Sequence, residues 1–384
     1  MPPVFSREII RKTAGEFNRT GGAILLSMRV MILPSMCVPD TGSAIQLARN
    51  LAALLRMEHI ETAVSADKHS GFSDISFFEA PAPSVLSRRL NSGTTIEEYM
   101  KAHGAFSASY LSRDHAAIEA AITEYEPDLL IEIERPAAIV SARIHAIPLF
   151  SIVSPAVFRN RRFKADLLNG INEFLSEQGL EQILAYRELY AFAQCFAFGP
   201  REFLSAAAER RAACFGMSSI APILKPSDGR LSIVLNDTSL SSRKRRKVIT
   251  DAFLGAPYDV YVFSRGLRPG RNGNLHFLQA SRFLQVSESR VCIHDGSDAI
   301  TAHCIALGIP QIIIHDDSWQ RSWNAAALKR SKAGLTVPEA EFSMSSVYET
   351  YRMLVSDDRF EENAERLRDE AVERGDLANI LAYL

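Results

Sequence analysis

Several things are scarce in this chain, and each scarcity excludes something. Five cysteines (Cys37, Cys195, Cys214, Cys292, Cys304) are spread through 384 residues. Their number is odd, most lie in apolar runs, and no two have metal-ligand spacing. A disulfide scaffold or zinc ribbon is therefore not expected, and reduced thiols in a cytoplasmic protein are. No apolar run reaches the ~18–20 residues of a membrane span, so stable membrane insertion is not expected. A formal net charge of −2 gives no general affinity for nucleic acid or anionic lipid. The opening stretch FSREIIRKTAGEFNRT is too polar for a secretory signal. Internal repeats and low-complexity tracts are absent.

What remains is ordinary globular material, 47% hydrophobic and 23% charged, long enough for two cores. Residues 1–27 read as an N-terminal extension, either an appended helix or the product of a translation start assigned too early. From Met28 onward strand-like and helix-like segments alternate, the pattern of a doubly wound α/β sheet. Arg29–Leu33 reads as a strand, followed by a polar loop through Asp40 and a helix carrying Ile45, Leu51 and Leu55. Further strands are expected at Ile60–Ser65, Asp128–Ile133 and Pro148–Val153, with helices at Arg113–Tyr125 and Ala137–His145. Residues 160–215 look mainly helical. Loop composition around Lys225–Gly229 precedes a strand at Leu231–Leu235, which restarts the alternation. The expected division is a domain at 28–215 and another at 228–384.

The richest stretch is 290–325, RVCIHDGSDAITAHCIALGIPQIIIHDDSWQRSWNA. It reads as a strand to His294, a turn through Gly296-Ser297-Asp298, a helix stopped by Gly308 and Pro310, and a second strand from Gln311. A helix that starts at the carboxyl end of a parallel strand offers free N–H groups and a dipole to anionic oxygen, typically phosphate.

These residues resemble the glycosyltransferases of the GT-B fold, two Rossmann-like doubly wound domains facing across a cleft. The likeness is to the inverting, metal-independent UDP- and dTDP-sugar enzymes of natural-product pathways and to the N-acetylglucosaminyltransferases of peptidoglycan lipid synthesis. It rests on His294-Asp295-Gly296-Ser297-Asp298, on Gly308-Ile309-Pro310, and on Gln320 four residues before Asn324-Ala325. Pro127-Asp128-Leu129-Leu130-Ile131 and Ile147-Pro148 match more weakly. The resemblance implies a nucleoside-diphosphate sugar as co-substrate, no other cofactor and no metal, and a small-molecule acceptor, nucleoside- or aminoglycoside-like acceptors included. It implies no nucleic-acid partner and allows a homodimer. Donor contacts would come from His294, Asp295, Gly296, Ser297, Asp298, Ala299, Gln320 and Asn324, with Trp319 walling the sugar. Asn236 and Thr238 would lie near the phosphates. The family places a ribose-binding Glu in the helix; this chain has His303 there, and imidazole is not a bidentate acceptor.

For the acceptor, the family's usual base position in the loop after the first strand falls on Asp40. A carboxylate in a semi-enclosed cleft can serve as base; Asp40 with Thr41, Gly42 and Ser43 can equally cap the helix. Glu132 and Glu134 would share a face at a strand end by period two, either at the cleft edge or solvated. The basic run Ser242–Lys247 reads as the solvated first turns of a helix. Two other functions share the expected fold: a nucleotide-sugar epimerase or hydrolase, and a degenerate nucleotide-binding auxiliary protein.

Overall fold

The computed structural model describes residues 28–384 apart from 38–40, 73, 85–94, 159–164, 219–228, 237 and 280–285. Two seven-stranded sheets organise the described residues. The first contains β1 (Arg29–Pro34), β2 (Glu61–Ala66), β3 (Ser76–Glu79), β4 (Leu129–Ile133), β5 (Leu149–Ile152), β6 (Gln194–Phe198) and β7 (Ala212–Phe215). Its strand order is β3-β2-β1-β4-β5-β6-β7, parallel throughout. The helices around it are α1 (Thr41–Met57), α2 (Ile96–Ala102), α3 (Ala108–Tyr125), α4 (Pro136–Ile144), α5 (Asn169–Glu177) and the short α6 (Ala208–Arg211).

Alternation along β1 shows why both faces are covered. Met31 and Leu33 enter one apolar cluster, with α2 to α5, while Val30 and Ile32 enter another, with α1. All four are 0% exposed, and each such side chain contributes about 1.5–3 kcal/mol on burial. A buried ion pair crosses the first layer. Arg135, at the start of α4, binds Asp114 of α3 through Nη2 at 2.6 Å and Nε at 3.0 Å, and the Ser65 carbonyl through Nη1 at 2.6 Å.

The second sheet holds β8 (Arg230–Val234), β9 (Val260–Phe263), β10 (Gly270–Asn272), β11 (Leu275–Leu278), β12 (Ser289–His294), β13 (Gln311–His315) and β14 (Gly334–Pro338). Its order is β10-β11-β9-β8-β12-β13-β14, with only β10 antiparallel. Its helices are α7 (Ser242–Phe253), α8 (Asp298–Leu307), α9 (Trp319–Ser331), α10 (Met344–Val355) and α11 (Arg359–Glu373). The chain then returns to the first sheet: Leu377 and Ile380 join its core, and Tyr383 meets Phe196 edge-on at 5.1 Å. Among the described residues no helix is long and apolar enough to cross a membrane.

Two expectations need correction here. The mainly helical reading of 160–215 misses β6 and β7. Their short apolar runs are strands because β5 offers an unpaired edge, a non-local cause. The basic run 242–247 does open a helix, but Arg245 is buried. Its guanidinium bonds the Leu235 carbonyl, Ser264 Oγ and the Arg265 carbonyl, closing the ends of β8 and β9 together.

Candidate functional site

In each sheet the strand order reverses beside its first strand, between β1 and β4 and between β8 and β12. Loops leaving such a pair diverge and open a crevice at the carboxyl ends. At the second crevice the loops after β8 and β12 meet. Asp295 joins them: one carboxylate oxygen accepts the Asn236 N–H at 2.8 Å and the other the Ser297 N–H at 3.1 Å. The Asp295 N–H itself donates to the Val234 carbonyl at 3.0 Å.

His294 holds the turn from below. Its Nε2 lies 2.9 Å from Gln311 Oε1, and its Nδ1 accepts the Gly296 N–H at 3.1 Å, which sets the proton on Nε2. It is 0% exposed, and burial pushes its pKa down to about 4, so the ring is neutral near pH 7. This corrects the expectation for His294. Both ring nitrogens are engaged internally, so it shapes the turn and presents nothing to a ligand. Asp295 is corrected likewise, because a buried carboxylate with both oxygens on backbone N–H groups is a brace.

With these groups assigned, the N–H groups can be accounted for in order. That of Asp295 goes to Val234 on β8, and those of Gly296 and Ser297 are used within the turn. Asp298, Ala299 and Ile300 form the first turn of α8, and none of their N–H groups has a hydrogen bond among the described residues. Ser297, the N-cap, makes no side-chain cap bond. The donors available to an anion therefore start at Asp298, past the expected Gly296 and Ser297, and add to the positive end of the helix dipole.

The next helix fixes that turn. Asn324 Nδ2 donates to the Gly296 carbonyl at 2.9 Å and to Asp298 Oδ1 at 2.6 Å, and Gln320 Nε2 donates to Asp298 Oδ2 at 2.8 Å. Asn324, expected among the donor contacts, thus supports the loop. On the other flank Arg321 bonds Glu339 at 2.7 Å, and Glu339 accepts the Ser239 N–H at 3.2 Å, pinning the loop after β8. Asn236 Oδ1 accepts the Arg265 N–H at 3.0 Å. The Thr238 hydroxyl is buried near it without a partner among the described residues. His303 is half-buried one turn along α8 from Ala299.

The remaining candidates lie differently. Asp40 falls outside the described residues. Glu132 is 0% exposed and accepts the Arg135 N–H at 2.8 Å. Burial pushes its pKa up to about 8, against smaller opposing effects from Arg135 and Ser151. Glu134 has φ 51° and accepts the Ser154 N–H at 2.8 Å. The strand alternation ends at Ile133, so the expected shared face of Glu132 and Glu134 does not exist. Glu132 is closed to solvent and braces the start of α4, whereas Glu134 is half-buried and braces the loop after β5. Trp319 is 6% exposed and packs into the first half's core rather than walling an open pocket. Trp323 donates its Nε1–H to the Phe203 carbonyl at 3.0 Å.

Sequence reasoning missed the Arg321–Glu339–Ser239 brace and the His294–Gln311 pair. Gln311 carried a signal, a polar residue heading the otherwise apolar strand QIII. Among the described residues no three His, Cys, Asp or Glu side chains are grouped to hold a metal ion.

Residues 273–383 match the family described as erythromycin biosynthesis protein CIII-like, C-terminal domain. No curated protein matches the sequence. Solved structures do resemble it. CalG4, the calicheamicin glycosyltransferase, is 14% identical with a TM-score of 0.70, covering 94% of this chain and 98% of its own. The spinosyn rhamnosyltransferase SpnG complexed with thymidine diphosphate is 14% identical with a TM-score of 0.72, over 93% and 99%. Glycosyltransferase VinC in complex with dTDP is 16% identical with a TM-score of 0.66, over 93% and 98%. The chain has the GT-B fold that these proteins share.

Proposed function

We propose that this GT-B chain is a natural-product glycosyltransferase that moves a sugar from a dTDP- or UDP-sugar to a small-molecule acceptor, with inversion and without a metal. The observation that carries this reading is the turn at Asp298–Ile300. Three N–H groups without acceptors among the described residues open a ten-residue helix at a sheet's switch point, held by Asn324 and Gln320. The solved structures of SpnG complexed with thymidine diphosphate and of VinC in complex with dTDP support a nucleoside diphosphate as the occupant.

The chemistry follows from that placement. The acceptor oxygen attacks the anomeric carbon as the bond to the diphosphate oxygen breaks, and the charge released on the diphosphate falls on the N–H groups of Asp298, Ala299 and Ile300. Such preset donors stabilise developing charge without reorganising. The proton leaves the acceptor hydroxyl for a base, for which Asp40 remains our candidate. No cofactor beyond the sugar nucleotide is needed, and the first half carries the acceptor.

The test is to supply dTDP- and UDP-sugars with and without candidate acceptors and follow nucleotide release. Release that requires the acceptor supports transfer; release without it would indicate a hydrolase, and a sugar nucleotide isomerised without release would indicate an epimerase. Asp40→Asn should abolish transfer while leaving TDP affinity intact, and unchanged turnover would remove Asp40 from the base role. TDP bound tightly, with no turnover under any pairing, would favour an auxiliary binding protein.

A further inference from the structure

We propose that Trp319 is a positioning residue that couples the diphosphate turn to the acceptor half of the molecule; the inference rests on the nucleotide-binding reading above. Trp319 is the first residue of α9, next to Gln320, whose amide holds Asp298. Its side chain points away from its own domain. Of the buried residues in the large apolar cluster of the first half, Trp319 alone comes from beyond residue 208. The ring meets Tyr99 of α2 edge-on with centroids 6.1 Å apart.

Tyr99 is itself fixed. It lies against His103 at 4.1 Å, and His103 Nδ1 is 2.8 Å from the Tyr99 carbonyl. Thr95 caps α2 through the Glu98 N–H at 3.2 Å. Lys101 on the same helix reaches the Asp166 carbonyl at 3.0 Å and its carboxylate at 3.1 Å. One continuous set of contacts therefore runs from the first turn of α8 through Asp298, Gln320 and Trp319 to Tyr99, α2 and the segment at 165–168.

Trp323, one turn later, crosses the same seam through a hydrogen bond to Phe203. Trp319 differs: its indole N–H is buried with no partner among the described residues. Its ring is therefore held by packing alone. A phosphate that orders Asp298 would order Gln320 and bias the Trp319 ring, and the ring's position reaches the acceptor half through Tyr99. A two-state element biased from both ends is what coupling requires.

Hydrogen exchange of α2 amides, with and without saturating TDP, tests this on the full chain. In the wild type TDP should slow exchange over residues 96–102 by roughly threefold or more. Trp319→Phe, which keeps an aromatic ring at the seam while losing the fused second ring and its N–H, should retain the effect. Trp319→Leu should abolish it while TDP affinity by calorimetry stays within about twofold. Protection that survives Trp319→Leu, or is lost in Trp319→Phe, overturns the proposal. Should the Leu variant not fold, Trp323→Phe leaves Trp319 as the sole tryptophan. Its emission must then respond to TDP, and an unchanged spectrum at saturation overturns the coupling. Absence of TDP binding to the wild type would instead sink the nucleotide reading, and the coupling with it.

Discussion

Replacing Gly296 by alanine probes the turn at its tightest point. Gly296 has φ +77°, and an added Cβ would lie 2.7 Å from Ile313 Cγ2 and 3.6 Å from the Arg321 backbone. The left-handed backbone costs a Cβ-bearing residue about 1–2 kcal/mol. Overpacking against a buried strand costs about 1–3 kcal/mol more. Ile313 is 0% exposed and central in β13, so relief must come from the turn. The Asp298–Ile300 donors then move by a few tenths of an ångström. Losing one charge-assisted hydrogen bond costs about 1.5–3 kcal/mol, so TDP should bind roughly tenfold to a hundredfold more weakly.

Gly308→Ala is the control. Gly308 has φ +66°, but its added Cβ would meet the end of the Arg368 side chain at 3.3 Å, a group free to shift. It should lose only the backbone cost of about 1–2 kcal/mol and keep wild-type TDP affinity. Denaturant unfolding and calorimetry read both quantities. If Gly296→Ala matches Gly308→Ala in stability and TDP affinity, the turn is not built as described.

Other predictions follow from the same contacts. Asn324→Ala removes the donor shared by the Gly296 carbonyl and Asp298, and should weaken TDP binding about tenfold by calorimetry. Asp114→Asn leaves Arg135 charged and buried without its partner and should cost about 3–5 kcal/mol in denaturant unfolding; a loss under 1 kcal/mol would contradict the buried pairing. Glu132 keeps its proton in the folded state up to about pH 8, against an ordinary value of 4.5. The folded protein thus holds a proton that the unfolded chain has released, and stability should fall as pH rises through that window, then level off. The limit is on the order of 4–5 kcal/mol. Glu132→Gln should remove that slope between pH 5 and pH 8, and parallel wild-type and variant curves would refute it.

Much of the second half was legible because its cause is local. The strand ending at His294 and the helix stop at Gly308 follow from the local pattern, whereas Gln320 and Asn324 are marked by the family resemblance. The failures had non-local causes. β6 and β7 exist because an edge of the sheet accepts them. His294 reads as a ligand until Gln311, on the neighbouring strand, takes its second nitrogen. Glu134 leaves the strand alternation through φ 51°, which a periodic pattern does not reveal. Trp319 reads as a wall of the sugar site until its partner Tyr99, 220 positions earlier in the chain, takes its ring.

A crystal structure of the chain with TDP tests the central claim most directly. The account predicts phosphate oxygens within hydrogen-bond distance of the Asp298, Ala299 and Ile300 N–H groups, with His294 and Asp295 still engaged in the turn. A nucleotide seated elsewhere, or phosphates touching His294 while those three donors face solvent, would contradict it.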